Sequence, residues 1–169
     1  MATNPATAPA PWGKYAPGYG VLDTDTYLQL PDQEGWVLEL YQGRVIRKPG
    51  PGYEHGRIQG SLIIALAAYI YDQTLGDLLG TCCYVLPLPD ATEAVLSSDV
   101  SLMSPQREAT AKRRGAYDEY YEGAPDLAIE IVAPEDDTYE QVQQKIGVFL
   151  AAGVSLVWVV WPNTRTVEI

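Results

Sequence analysis

The chain has 169 residues, 47% of them hydrophobic, and a formal charge of −11 from 22 acidic and 11 basic residues. That length suits one domain with a real core, and the acidic balance argues against a nonspecific nucleic-acid coat, which needs lysine and arginine for phosphate contacts. No apolar stretch approaches the roughly 18 residues of a membrane span, and a single histidine with two adjacent cysteines, Cys82 and Cys83, argues against both a Cys/His zinc site and an unstrained disulfide.

Residues 1–22 are rich in Ala, Pro, Thr and Gly without the apolar core of a signal peptide, and read as a flexible arm on a cytoplasmic protein. Residues 23–169 read as one domain. A short helix over 24–30 stops at Pro31, and "GWVLELYQGRVIRKP" reads as two strands turning at Gln42-Gly43. From Tyr53, apolar residues at Ile58, Leu62, Ala65, Leu66 and Tyr69 have helical spacing, with Gly76 as the stop. Strands follow over 81–86 and 96–103, then a polar stretch over 106–123 that reads as a loop with a short helix. Residues 126–132 form the strongest strand. Asp137 or Thr138 caps a helix running to about Ala152, and strands over 155–161 and 166–169 close a hairpin at Pro162-Asn163. This order predicts an α/β sandwich, a central mixed β-sheet flanked by helices.

Within "DLAIEIV", Glu130 shares a face with Asp126, Ala128 and Val132. An ionised carboxylate in a dry interior is costly unless a metal, a cation or cleft water meets it. A second acid, Asp99, interrupts the half-buried strand "AVLSSDVSLMS". Two carboxylates converging from neighbouring strands make a hard-oxygen site for Mg²⁺ or Mn²⁺, which lowers the pKa of a bound water and stabilises charge on a phosphate. Lys145 can join them. The stripe Val142, Ile146, Phe149 and Leu150 leaves it at the edge of the core-facing side, from which its stem reaches inward. A cation there orients the water or neutralises the phosphate. Taken singly, a strand acid is ordinarily a surface or salt-bridged residue and a helix lysine a solvated charge; the combination carries the reading. Asp126 is roughly 13 Å from Glu130 along the strand, too far to share an ion. Arg44, Arg47, Lys48 and Arg57, and Lys112, Arg113 and Arg114, are candidate DNA contacts that surface charge alone also explains.

Several stretches, "LELYQGRV", "PGPGYEHGRIQGSLIIAL", "SSDVSLMS", "APDLAIEIVAPEDD" and "KIGVFLAAGVSLVWVVWPNTRTVEI", resemble the restriction-endonuclease-like family of the PD-(D/E)XK nuclease superfamily. The resemblance spans residues 23–169 and implies the restriction-endonuclease-like sandwich. It implies that Asp99 is the aspartate of the "PD" element and Glu130 the acid of the second element. The superfamily lysine is normally two residues after that acid, where this chain has Val132; Lys145, with Phe149 four residues on, matches a lysine displaced to the following helix. Glu39 aligns with an early acid, a further metal ligand beside Asp99 and Glu130, and His55 with an early histidine. Ser98 replaces the proline of "PD", a change expected to be mild. The resemblance implies a metal-dependent endonuclease acting on DNA, with Mg²⁺ or Mn²⁺ as cofactor and a homodimer if both strands of a duplex are cut. Its rival is a catalytically silent binding module that keeps the fold. A glycosidase-like carboxylate pair would leave Lys145 without a task.

Overall fold

A computed structural model describes residues 10–115, 119–133 and 138–169. The expected α/β sandwich of mixed sheet and flanking helices is present, with its strands divided between two mixed sheets. The first contains seven strands in the order β1-β3-β2-β6-β5-β9-β8: β1 (Lys14–Tyr15), β2 (Trp36–Tyr41), β3 (Arg44–Pro49), β5 (Cys82–Pro87), β6 (Glu93–Ser98), β8 (Lys112–Arg114) and β9 (Tyr120–Glu122). The second contains five in the order β12-β11-β10-β7-β4: β4 (Asp77–Leu79), β7 (Val100–Met103), β10 (Leu127–Ile131), β11 (Leu156–Trp161) and β12 (Thr166–Glu168). The helices are α1 (Thr24–Tyr27), α2 (Tyr53–Asp72), α3 (Pro105–Thr110) and α4 (Tyr139–Ala151).

The strand expected over 96–103 is two strands in two sheets, and Asp99 is the one residue between them. Ser98 closes the break. Its hydroxyl accepts from the Ile129 N–H at 3.2 Å and lies 2.8 Å from the Val100 carbonyl, so a side chain does the work of the missing ladder. Serine is therefore a structural bridge here, more than the mild replacement expected.

β10 is buried along its whole length and runs parallel to β11, which requires the crossover that α4 supplies. Its two faces meet different layers. Leu127, Ile129 and Ile131 pack with Ile58, Leu62 and Leu66 of α2, while Ala128 joins Val148 and Phe149 of α4 and Tyr84, Leu86 and Leu96 of the first sheet. Glu130 shares the Ala128 face, so strand alternation alone aims it at α4.

Several local expectations change. The expected arm is seated on the domain from residue 11: Trp12 is 2% exposed, Lys14–Tyr15 pairs with β3, and Ala16 packs with Tyr27 and Leu28 on the outer face of the first sheet. β8 and β9 lie in the stretch read as a loop; "KRR" has no apolar alternation, and its pairing with β9 is supplied by tertiary contact. α2 ends at Asp72, before Gly76. That glycine serves another purpose: a Cβ on it would fall 2.1 Å from the Met103 carbonyl, where the chain enters β4 beside β7. α4 begins at a capping box between Thr138 and Gln141; Asp137, the other cap expected, lies outside the described residues. Its buried face is Val142, Lys145, Val148 and Phe149, while Leu150 is exposed, so the helix is rotated from the expected stripe and Lys145 sits within the buried side.

Candidate active site

Four elements bring side chains together at the break between β6 and β7. From α4, Lys145 arrives with 4% exposure. Its Nζ donates to Glu130 Oε2 at 2.7 Å and to the Ser97 carbonyl at 2.9 Å, and lies 2.9 Å from Glu39 Oε1. Glu39, on β2, is wholly buried and fully engaged: Oε1 also accepts from the Ser97 N–H at 3.1 Å and hydroxyl at 2.9 Å, and Oε2 from Trp12 Nε1 at 2.6 Å. It was expected as a third metal ligand. Its two oxygens hold Lys145, Ser97 and Trp12, and among the described residues no three His, Cys, Asp or Glu side chains form a metal-binding group.

Asp99 is gripped from both sides. Its N–H donates to the Ile129 carbonyl at 3.1 Å, and its Oδ2 accepts from the Ile131 N–H at 2.7 Å and meets His55 Nε2 at 3.1 Å. Gln59 Nε2 donates to its carbonyl at 2.6 Å, so α2 contributes both His55 and Gln59. Two buried atoms here have no hydrogen-bond partner, Glu130 Oε1 and His55 Nδ1.

The electrostatics follow from burial and charge. Burial opposes ionisation of Glu39, but Lys145, Lys48 and the Ser97 donors outweigh it and hold its carboxyl down at about 2. Burial raises Glu130 to about 7; Lys145 pulls against this, and the Asp99 and Glu39 charges add to it. Lys145 is driven far above its ordinary value because the two carboxylates overcome desolvation. The hydrogen bond to Asp99 raises His55 despite burial, and His55 with the Ile131 N–H lowers Asp99 against the same penalty.

Asp99 and His55 open onto a cleft of about 190 Å³ walled by Lys14, Trp36, Arg47 and Lys48 and by the loop Pro49-Gly50-Pro51-Gly52. Glu130 and Lys145 line an adjoining recess of about 20 Å³, and Lys48 and Ile131 border both spaces. The structure thus gathers Glu39, Asp99, Glu130, Lys145 and His55. It keeps Asp126 apart, held by Arg107 at 3.0 Å and the Ser104 N–H at 2.7 Å. The basic group 112–114 is ion-paired, Arg113 to Glu108 and Arg114 to Asp25 and Glu93. Trp12 and Ser97 were not anticipated: nothing in a Pro/Ala-rich segment marks a tryptophan as a carboxylate donor. Lys48 was visible only as one of a basic group.

A carboxylate at a strand break, a second on the buried central strand and a lysine on the crossover helix, within two mixed sheets flanked by helices, define a restriction-endonuclease-like α/β protein. The family model described as "Uma2: Putative restriction endonuclease" matches residues 24–169, and the chain belongs to that family. It is similar in fold to a solved structure described as a "putative nuclease" from Anabaena variabilis, with a TM-score of 0.70, 24% identity, and coverage of 86% of this chain and 77% of that one. No curated protein matches the chain. No helix among the described residues is long and apolar enough to cross a membrane.

Proposed function

We propose that this protein is a metal-dependent endonuclease that hydrolyses phosphodiester bonds in DNA. One observation carries the reading. Glu130 is buried, keeps Oε1 without a partner, and faces Lys145 on one side and the charge of Asp99 on another. A buried carboxylate oxygen left unpaired is costly in a purely structural role and suits a ligand.

The donor set fits Mg²⁺ or Mn²⁺, hard ions that take carboxylate oxygens and leave positions for water, with Asp99 and Glu130 as the protein ligands. Such an ion, when bound, supplies an acidified water and neutralises charge on the phosphate. The chain's own residues do the rest. Lys145 is held protonated by two carboxylates, so it acts as a fixed positive charge beside Glu130 and the attacking water, not as a proton acceptor. Glu39 positions that lysine from beneath. His55 orients the Asp99 carboxylate through Nε2 and faces the cleft through which a phosphate arrives.

The test is nicking and cleavage of supercoiled plasmid and of single-stranded DNA with Mg²⁺, with Mn²⁺ and with chelator, using wild type and Glu130→Gln prepared identically. Metal-dependent cutting by wild type alone is expected. Equal cutting by both, or none on any substrate, overturns the reading in favour of a binding module, which the −11 charge would suit.

A further inference from the structure

The cleft beside Asp99 has features that phosphodiester hydrolysis alone does not use. Trp36 stands at its wall with 38% of its surface exposed, and the Arg47 guanidinium lies 4.4 Å from the centre of its ring. Arg47 Nε is buried without a hydrogen-bond partner. Lys14 is the register partner of Arg47 across β1 and β3, and Lys48 follows Arg47 in sequence, so three cations border one short cleft in a chain whose net charge is −11. Among the described residues neither Lys14 nor Lys48 has a carboxylate within ion-pair distance, in contrast to Lys145, Arg107 and Arg114.

These features favour one form of nucleic acid. A double helix presents its phosphates over a broad face and rewards an extended basic surface, which a net charge of −11 disfavours. A cleft of about 190 Å³ admits a single base, and the base must leave its stack to enter. Planar aromatic and guanidinium groups bordered by a few cations are the general means of holding an unpaired strand without reading its sequence.

We propose that this cleft is a subsite for an unpaired nucleotide, in which Trp36 and Arg47 stack the base and Lys14 and Lys48 hold the neighbouring phosphates, so that single-stranded DNA is the preferred substrate class. The proposal rests on the nuclease reading for its link to cleavage, while the binding it requires is independent of cleavage. Trp36, Arg47, Lys14 and Lys48 bind and position the strand; the reacting atoms lie deeper, at Asp99.

The experiment is equilibrium binding, in chelator, of a short fluorescent oligodeoxythymidylate and of a duplex of equal length to wild type, Trp36→Ala, Trp36→Phe and Arg165→Asn. Arg165 is an exposed control in the turn between β11 and β12, on the second sheet, at a left-handed position that asparagine also adopts. Wild type should hold the single strand about tenfold or more above the duplex, and Trp36→Ala should lose about tenfold on the single strand alone, as removal of one stacking platform does. Trp36→Phe should keep most of the affinity, and Arg165→Asn all of it. Unlabelled oligonucleotide should quench the tryptophan emission of wild type and not that of Trp36→Phe, which provides a readout even if Trp36→Ala folds poorly. Equal affinity for both nucleic acids, or a folded Trp36→Ala that binds as wild type does, overturns the subsite. Single-strand binding without cleavage of any substrate upholds the subsite and overturns the nuclease reading; cleavage without single-strand preference does the reverse.

Discussion

The Lys145 ammonium donates to Glu130 Oε2 at 2.7 Å in a position almost closed to water, so a helix residue and a strand residue 15 apart in sequence share one buried charge centre. Breaking such a pair is costly because the partner left behind remains buried. Lys145→Met should therefore destabilise the protein by about 3 kcal/mol near neutral pH, at the low end of the usual range. Two features limit the loss: Glu130 can take up a proton, and Glu39 keeps Ser97 and Trp12. Urea unfolding of wild type and variant measures it; a loss under about 1 kcal/mol, the scale of an exposed pair, would mean that water reaches the site.

Glu130 makes the proposed metal site pH-dependent. Its folded carboxyl titrates at about 7 against an ordinary value of 4.5, so the metal-free folded state binds more protons than the unfolded state between those values. By linkage this contribution to stability is fully present below about 4.5 and lost as pH rises through about 7. A divalent ion competes with that same proton. The Mg²⁺- or Mn²⁺-induced rise in Tm should be small near pH 6 and should grow by pH 8, and Glu130→Gln should abolish both the rise and its pH dependence. A metal-induced shift that is flat across this range would remove Glu130 from the ligand set.

How much of this was legible in the sequence depended on where each residue's partners came from. Glu130 and Asp99 stood out because an acid in an apolar alternating strand breaks a local pattern, and the buried strand that carries Glu130 is long enough to show it. Lys145 was placed near the right face because helical spacing is local, although tertiary packing turned α4 until the lysine lay within the buried side. Trp12 had no local signal: its partner Glu39 is 27 positions away, and only the pairing of β1 with β3 brings the segment down. The division into two sheets was equally hidden, since one strand broken at one residue reads in sequence as one strand.

The Trp12–Glu39 contact carries its own consequence. Glu39 titrates at about 2 when folded against 4.5 ordinarily, so its contribution is present above about 4.5 and is lost as pH falls through about 2. Trp12→Phe keeps an aromatic ring but leaves Oε2 without its donor, which should cost about 1–3 kcal/mol at neutral pH. It should also move acid unfolding to higher pH, because the carboxylate is less well held. Acid titration followed by circular dichroism checks both effects. An unchanged acid midpoint would show that the residues before β1 do not anchor the site.

Ser98 offers the sharpest separation of structure from catalysis, because its hydroxyl touches neither acid yet sets where one of them stands. It accepts from the Ile129 N–H, next to Glu130, while Asp99 binds the Ile129 carbonyl and the Ile131 N–H on either side. Three bonds thus fix the spacing of the two carboxylates across the strand break. Ser98→Ala leaves a buried N–H unpaired and should cost about 1–3 kcal/mol. A displacement of the carboxylates would also weaken metal binding and slow cleavage, as loss of groups that orient metal ligands does. Ser98→Thr keeps the hydroxyl and should recover both properties. If Ser98→Ala lost stability but bound metal and cleaved as wild type does, the bridge would be structural alone, and the spacing of Asp99 and Glu130 would be set by the Asp99 contacts without it.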